Sequence, residues 1–327
     1  MSTKRIRSWA KWLVTALVLG GLLWYCNLEA LVAALRQADV PQLLGFALLT
    51  TAATACGGGS LLTLFETPAS AGWRSRWRFV VDYFYVQAMA QLTPAQLAEV
   101  ALPYIAARGR YAGAAIAASL LIQRIISLLI VASIAVWGSG RWASEGLLWA
   151  LLVGIGGAAG GLVLLMSRQA GSMPLLSRHI PALVPQLQAF RQAWQRIWFS
   201  HPLRLASHLA IMLVRFALSI AGNWMLFAAF EIQIPYADLA AITALAILAT
   251  LLPVTIGGLG LTEGVFVLAL SSYGYSPSSI VAASLSGRAA AAVMFCGWAL
   301  LYFLLPTKGL APSACAANGS PTDSPAK

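Results

Sequence analysis

Apolar stretches of about 20 residues, long enough to cross a bilayer core as helices, recur from one end of this chain to the other. No other feature narrows the fold as far. With 60% of its residues apolar and 9% charged, the chain has little means of covering a water-facing surface. In lipid, every backbone donor and acceptor must be satisfied internally, and long apolar runs achieve this as helices. The expected class is an all-α polytopic membrane protein.

Full spans are read at about 12–31, 41–65, 112–137, 147–166, 205–230 and 278–305. Two other regions are interrupted. Phe79–Leu92 and Ala95–Ala107 are separated at Thr93-Pro94, while Ala237–Leu252 and Leu261–Tyr273 are separated by PVTIGGLG. These segments are short for a hydrocarbon core of about 30 Å. Each pair therefore reads as a re-entrant hairpin whose break faces protein or a wet cavity. The expectation is six full spans plus two re-entrant helix pairs in one integral membrane domain, residues 1–306. Residues 307–327, rich in Pro, Ser, Ala and Gly, read as a disordered tail.

Charge sets the orientation. The formal net charge is +11, and the basic residues cluster between the spans. The start MSTKRIRSWAKW leads into an apolar run without an AxA-like site, which reads as an uncleaved first span with its amino end inside. Arg74, Arg76 and Arg78 read as a compact basic loop. Residues 168–204 read as a cytoplasmic linker of amphipathic surface helices. With both termini cytoplasmic, only Arg36 and Arg141 of the 21 Lys and Arg fall outside, and Arg124, Arg215 and Arg288 lie within the membrane. Anionic headgroups explain such a distribution, and no basic helix, zinc finger or aromatic-basic platform points to nucleic acid. A bacterial cytoplasmic (inner) membrane is the location that fits.

The same orientation exposes an inverted repeat. Residues 41–137 read as span, hairpin, span, starting outside, and residues 205–305 repeat that order from the inside. The two hairpins would then enter from opposite faces and meet near the midplane, an arrangement that secondary transporters use.

Each half also carries a glutamate and an arginine at one shared separation, Glu99 with Arg124 and Glu263 with Arg288. A charge in hydrocarbon costs about 2.5–3.5 kcal/mol by insertion scales unless it is paired or hydrated. The pairs read either as salt bridges that fix packing or as the polar lining of one site. Around the second break, Pro253 removes a backbone donor while Gly257 and Gly258 permit turns and close approach. Glu263 then falls in the first turn of the following half-helix, as a cap, an Arg288 partner or a proton-linked switch. Pro94 marks the first break, and Gln123 beside Arg124 extends its polar surroundings. Arg215 either lines the same cavity or snorkels from the cytoplasmic end of its helix. Asp82 and Asp238 read as caps at the hairpin entrances.

His179, His201 and His208 fall in or beside the linker without metal-ligand companions, and no GxSxG or HExxH motif occurs. No catalytic residue, metal or cofactor is expected. Cys26, Cys56, Cys296 and Cys315 are scattered, and those in apolar stretches read as buried small hydrophobes.

The pattern P-x-x-x-GG-x-G-x-x-E at Pro253, Gly257, Gly258, Gly260 and Glu263, with Arg288 in the span that follows, resembles the transmembrane domain of the lysylphosphatidylglycerol synthase family. The first half is similar through Pro94, Glu99 and Arg124, and departs from the pattern at Ala95 and Gln123, where the family has glycine and glutamate. The resemblance covers about residues 10–305. It implies a flippase-like membrane domain, since the family's aminoacyl transfer belongs to an attached soluble domain that is not expected in this sequence.

The leading expectation is a transporter that moves a phospholipid or another phosphate-bearing lipid, a polyisoprenyl phosphate included, between leaflets. Arginines would neutralise the headgroup; a cationic headgroup would instead pair with Glu99 or Glu263. The other readings are a membrane enzyme acting on a lipid, and a structural partner of lipid biosynthetic enzymes, which would have a packed centre. A homo-oligomer is compatible with each.

Overall fold

Four helices are long and apolar enough to cross a membrane in the computed structural model, which describes residues 36–64, 73–91, 97–106, 113–139, 184–200, 202–250 and 257–304, with 33–34, 153–154, 156–157, 160–161 and Thr255. They are α1 (Val40–Leu64), α4 (Gly113–Ser139), α6 (Pro202–Ala228) and α9 (Pro277–Leu304). At 1.5 Å per residue, helices of 25 to 28 residues reach about 40 Å. Proline begins α6 and α9 and stands in the first turn of α1, where its missing N–H would find no helical partner anyway. No strand occurs among the described residues. The chain is an all-α, multi-pass membrane bundle. The first span expected at 12–31, Pro94, Pro253, the tail and most of 147–166 lie outside the described residues.

The interrupted regions are built from shorter pieces. In the first half, α2 (Trp73–Gln91) is followed by a tight 3₁₀ turn at Leu97–Ala101 and by α3 (Leu102–Ala106). In the second, α7 (Tyr236–Thr250) and α8 (Leu261–Ser271) have 15 and 11 residues, about 22 and 16 Å of helix. The segment α3 of the first pair and both half-helices of the second are thus too short for a core of about 30 Å.

The basic loop expected at 74–78 is instead the start of α2. Arg74 and Arg76 are exposed on it, but Arg78 is buried and pairs with Asp82 at 3.0 Å. It also donates to the Tyr302 carbonyl at 3.2 Å and lies 4.6 Å from the Tyr302 ring centroid. Residues four apart face each other on a helix, so the pair supports α2 while the partners on α9 satisfy the guanidinium. Asp82 is consequently an ion-pair partner in mid-helix and no cap. Asp238 does fall in the first turn of α7, where a carboxylate suits the helix dipole.

The linker expectation also changes. Within it, α5 (Val184–Gln195) runs on through a wider turn at Arg196–Ser200. Its Trp194 is fully buried and, with Ile197, packs on Ile122 and Ile125 of α4 and on Leu64. Its apolar face is used against the bundle, not against headgroups. Cys296 is exposed on α9, contrary to the buried role expected for it, while Cys56 is half-buried in α1.

Packing pairs the halves crosswise. The most extensive contact joins α1 to α6; then α4 packs on α7, and α9 packs on α2. Phe84 stacks on Trp298 and Tyr85 on Tyr302 across the α2–α9 contact, each with centroids 4.3 Å apart. One buried cluster, including Phe227, Ile242, Phe266, Leu270 and Ile280, forms the core of the second half, and another, with Leu61, Phe79, Tyr83, Leu102 and Ile116, that of the first. Between them lies the polar centre.

Candidate functional site

The turn entering α8 is shaped by glycines that no other residue replaces without strain. Gly257 and Gly258 have φ of 58° and 72°, in the left-handed region. Gly257 also lies against the Gln91 carbonyl, leaving no room for a side chain. Gln91 is the last residue of α2, so the edges of the two breaks touch through backbone.

Glu263 locks this turn. It is fully buried, and its Oε2 accepts the Gly260 N–H at 2.6 Å, closing the first turn of α8. Its Oε1 accepts from Arg288 Nε at 2.5 Å and from Ser284 at 3.2 Å. Arg288 Nη1 then donates to the Gly257 carbonyl at 3.0 Å. One carboxylate is both helix cap and counter-ion, and one guanidinium ties α9 to the break.

Glu99 and Arg124 repeat the pairing more loosely. Glu99 lies in the 3₁₀ turn, accepting from Gln87 at 3.0 Å and pairing with Arg124 at 3.0 Å. The Arg124 and Glu99 side chains are 33% and 20% exposed, whereas Glu263 is sealed. Gln123 instead turns to α1, donating to the Gly57 carbonyl at 3.3 Å, and hydrogen-bonds Tyr83.

Gln91 and Gly257, which border the two interruptions, both line one cavity of about 290 Å³. Gln91 and Arg124 line it from the first half, Thr250, Gly257 and Arg288 from the second, and Arg215 from α6. Arg215 stands midway along the 27-residue helix α6 and is half-buried. Its guanidinium packs at Gly57, where the absent side chain gives it room. Among the described residues it has no carboxylate partner, and its side chain's one hydrogen bond is a 3.9 Å contact with Met212 sulfur. Asn223, on the same helix, also lines the cavity and approaches Thr243 at 3.4 Å.

The structure thus brings together Arg124, Arg288, Arg215 and Gly257 at the cavity, with Glu99 and Glu263 behind their arginines. Gly258 shapes the same turn but packs on Thr250 and Thr262. Sequence reasoning missed Gln87, Gln91 and Ser284. Ser284 lies four residues before Arg288 on one helix face, the one signal that would have found it. His208, just past the linker in α6, is fully buried, with its Nδ1 at 2.9 Å from the Ser60 carbonyl. Among the described residues no group of three or more His, Cys, Asp or Glu stands close enough to hold a metal.

Comparison with curated proteins gives no match. The family described as lysylphosphatidylglycerol synthase TM region matches residues 9–299, which takes in both hairpins and both Glu–Arg pairs. The match concerns the membrane region, the flippase-like part, and not the aminoacyl-transfer part. With nearly the whole chain matched, this all-α membrane bundle belongs to the lysylphosphatidylglycerol synthase transmembrane-region family.

Proposed function

We propose that the protein moves a phospholipid or another phosphate-bearing lipid between the leaflets of a bacterial cytoplasmic membrane, with the polar cavity as the headgroup path. The observation that carries this reading is the cavity itself, which joins both breaks and exposes three arginines inside an apolar bundle. Arg124, Arg288 and Arg215 neutralise the headgroup while acyl chains remain in hydrocarbon. Glu99 and Glu263 hold the first two arginines and release them in turn as access alternates. Gly257 and Gly258 form the turn that enters α8, and Pro94 and Pro253, outside the described residues, complete the proposed site.

An inverted repeat with two re-entrant hairpins underlies this mechanism. One numerical offset carries Glu99 onto Glu263, Arg124 onto Arg288, Gly113 onto Pro277 and Leu64 onto Ala228. Exchange of the halves also maps the α4–α7 contact onto the α9–α2 contact and the α1–α6 contact onto itself. Such pseudo-symmetry is what alternating access about a midplane site requires. Glu263 is sealed while Glu99 is partly exposed, which fits tighter closure on the side of the second pair than on that of the first.

Two competing readings are disfavoured on physical grounds. A lipid-modifying enzyme needs a carboxylate available as base, and both carboxylates here are held by arginines. A purely structural partner of lipid biosynthetic enzymes would have a filled centre, and this centre holds a cavity. The test is sided translocation of fluorescent phosphatidylglycerol in proteoliposomes. Protein-containing vesicles should equilibrate the probe faster than empty ones, and equal rates would sink the transport reading.

A further inference from the structure

One end of the bundle gathers exposed arginine and tryptophan side chains that the cavity does not use. The end of α1, the starts of α2 and α6 and the end of α9 meet there: Leu61 packs on Phe79, the Ser60 carbonyl meets His208, and Arg78 reaches the Tyr302 carbonyl. On α2, Trp73, Arg74, Arg76 and Trp77 are exposed, whereas Ser75 and Arg78 are buried. At about 3.6 residues per turn the four exposed side chains share one arc of about 160°, with the tryptophans in its middle and an arginine on each flank. Neither Arg74 nor Arg76 has a carboxylate partner among the described residues. We infer that this face of α2 is a docking site for anionic phospholipid of the surrounding membrane, with Arg74 and Arg76 each meeting a headgroup phosphate on either side of the tryptophan pair.

Charge, polarity and stiffness name this partner. Two guanidiniums suit phosphate oxygens, and each arginine near an anionic lipid surface gains about fivefold in affinity. Tryptophan, with an apolar body and one N–H, sits where headgroups meet hydrocarbon. Trp73 is 73% exposed and Trp77 44%, an apolar area that a headgroup layer covers better than water does. The face is also stiff, so little ordering is lost on binding. Trp77 meets the Trp298 ring edge-on at 6.0 Å, Trp298 stacks on Phe84, and the neighbouring Arg78 is fixed by Asp82 and Tyr302. The opposite end of the bundle, where the Asp39 N–H bonds to the Ala229 carbonyl, exposes Trp137, Trp224 and Tyr236, with Arg36 as its arginine among the described residues. Along α2 the site lies about 27 Å from Gln91 at the cavity. It is a separate lipid contact, and it stands whether or not the cavity carries lipid.

Photo-crosslinking on the full chain in phosphatidylcholine nanodiscs tests this. Trace phosphatidylglycerol or phosphatidylcholine, each with a diazirine beside its glycerol, is activated, and the labelled residues are mapped by mass spectrometry. In the wild type, phosphatidylglycerol should label residues 73–77 about fivefold or more above phosphatidylcholine. Arg74→Gln combined with Arg76→Gln, at exposed positions that leave the fold unchanged, should bring that ratio to within about twofold of unity. Arg36→Gln, at the opposite end, should leave the ratio as it is. Equal labelling by the two lipids in the wild type overturns the proposal, and so does a wild-type ratio in the double variant. An equal fall in Arg36→Gln also overturns it, since the protein's net charge, and not this face, would then gather the lipid. Labelling of Gln91 and Thr250 in the same samples reads the cavity, so failure at one place does not bear on the other.

Discussion

Glu263 gathers a backbone N–H, a serine hydroxyl and a guanidinium onto one buried carboxylate, whereas Glu99 does comparable work half in the open. Burial raises the cost of leaving a partner unmatched, so the two positions respond differently to the same change. Glu263→Gln should lower stability by about 1–3 kcal/mol, and Glu99→Gln by less than about 1 kcal/mol, as read from thermal melting of purified protein. A larger loss at Glu99 would contradict this order. Gly257→Ala forces a Cβ into the left-handed region at about 1–2 kcal/mol, and into the Gln91 carbonyl as well. Its melting temperature should fall further than that of Gly59→Ala, where nothing lies within 4 Å. The paired glutamates and arginines were legible because ionised groups stand out in apolar spans. The role of Arg215 was not, since one cation on one helix looks the same whether it snorkels or faces a cavity. Only the packing of α6 on α1 distinguishes the two.

Among the elements, α2 departs furthest from its sequence reading. Alternating arginines at 74, 76 and 78 look like a solvated turn. What the local pattern hides is long-range: Tyr302, more than two hundred positions away, supplies the carbonyl and ring that bury Arg78. Asp82→Asn should therefore cost about 3–5 kcal/mol by breaking a buried pair, and loosen the α2–α9 contact. A melting temperature within error of wild type would show that Tyr302 satisfies Arg78 without Asp82. The long spans were legible, with ends shifted by a few residues, because twenty apolar residues admit few alternatives. The docking of α5 was not, because an amphipathic helix has the same pattern whether its apolar face meets lipid or protein.

At the scale of the whole molecule, the proposed repeat sets two halves around a charged centre, and the basic residues predict its orientation. With residues 168–204 cytoplasmic, a single cysteine at the exposed Gln192 should react with a membrane-impermeant maleimide only from the inside. Labelling from the outside alone would invert the topology. The repeated Glu–Arg spacing was legible in the sequence, but the shared cavity was not, since no pattern states that Gln91 and Gly257 touch. The decisive measurement is the rate of sided phosphatidylglycerol translocation in proteoliposomes for wild type, Arg288→Gln and Glu263→Gln at equal reconstitution. Both variants should fall about tenfold or more below wild type, as expected when a charge-assisted contact is lost from the path. Wild-type rates in both would show that the pairs only hold the bundle together and that lipid passes elsewhere.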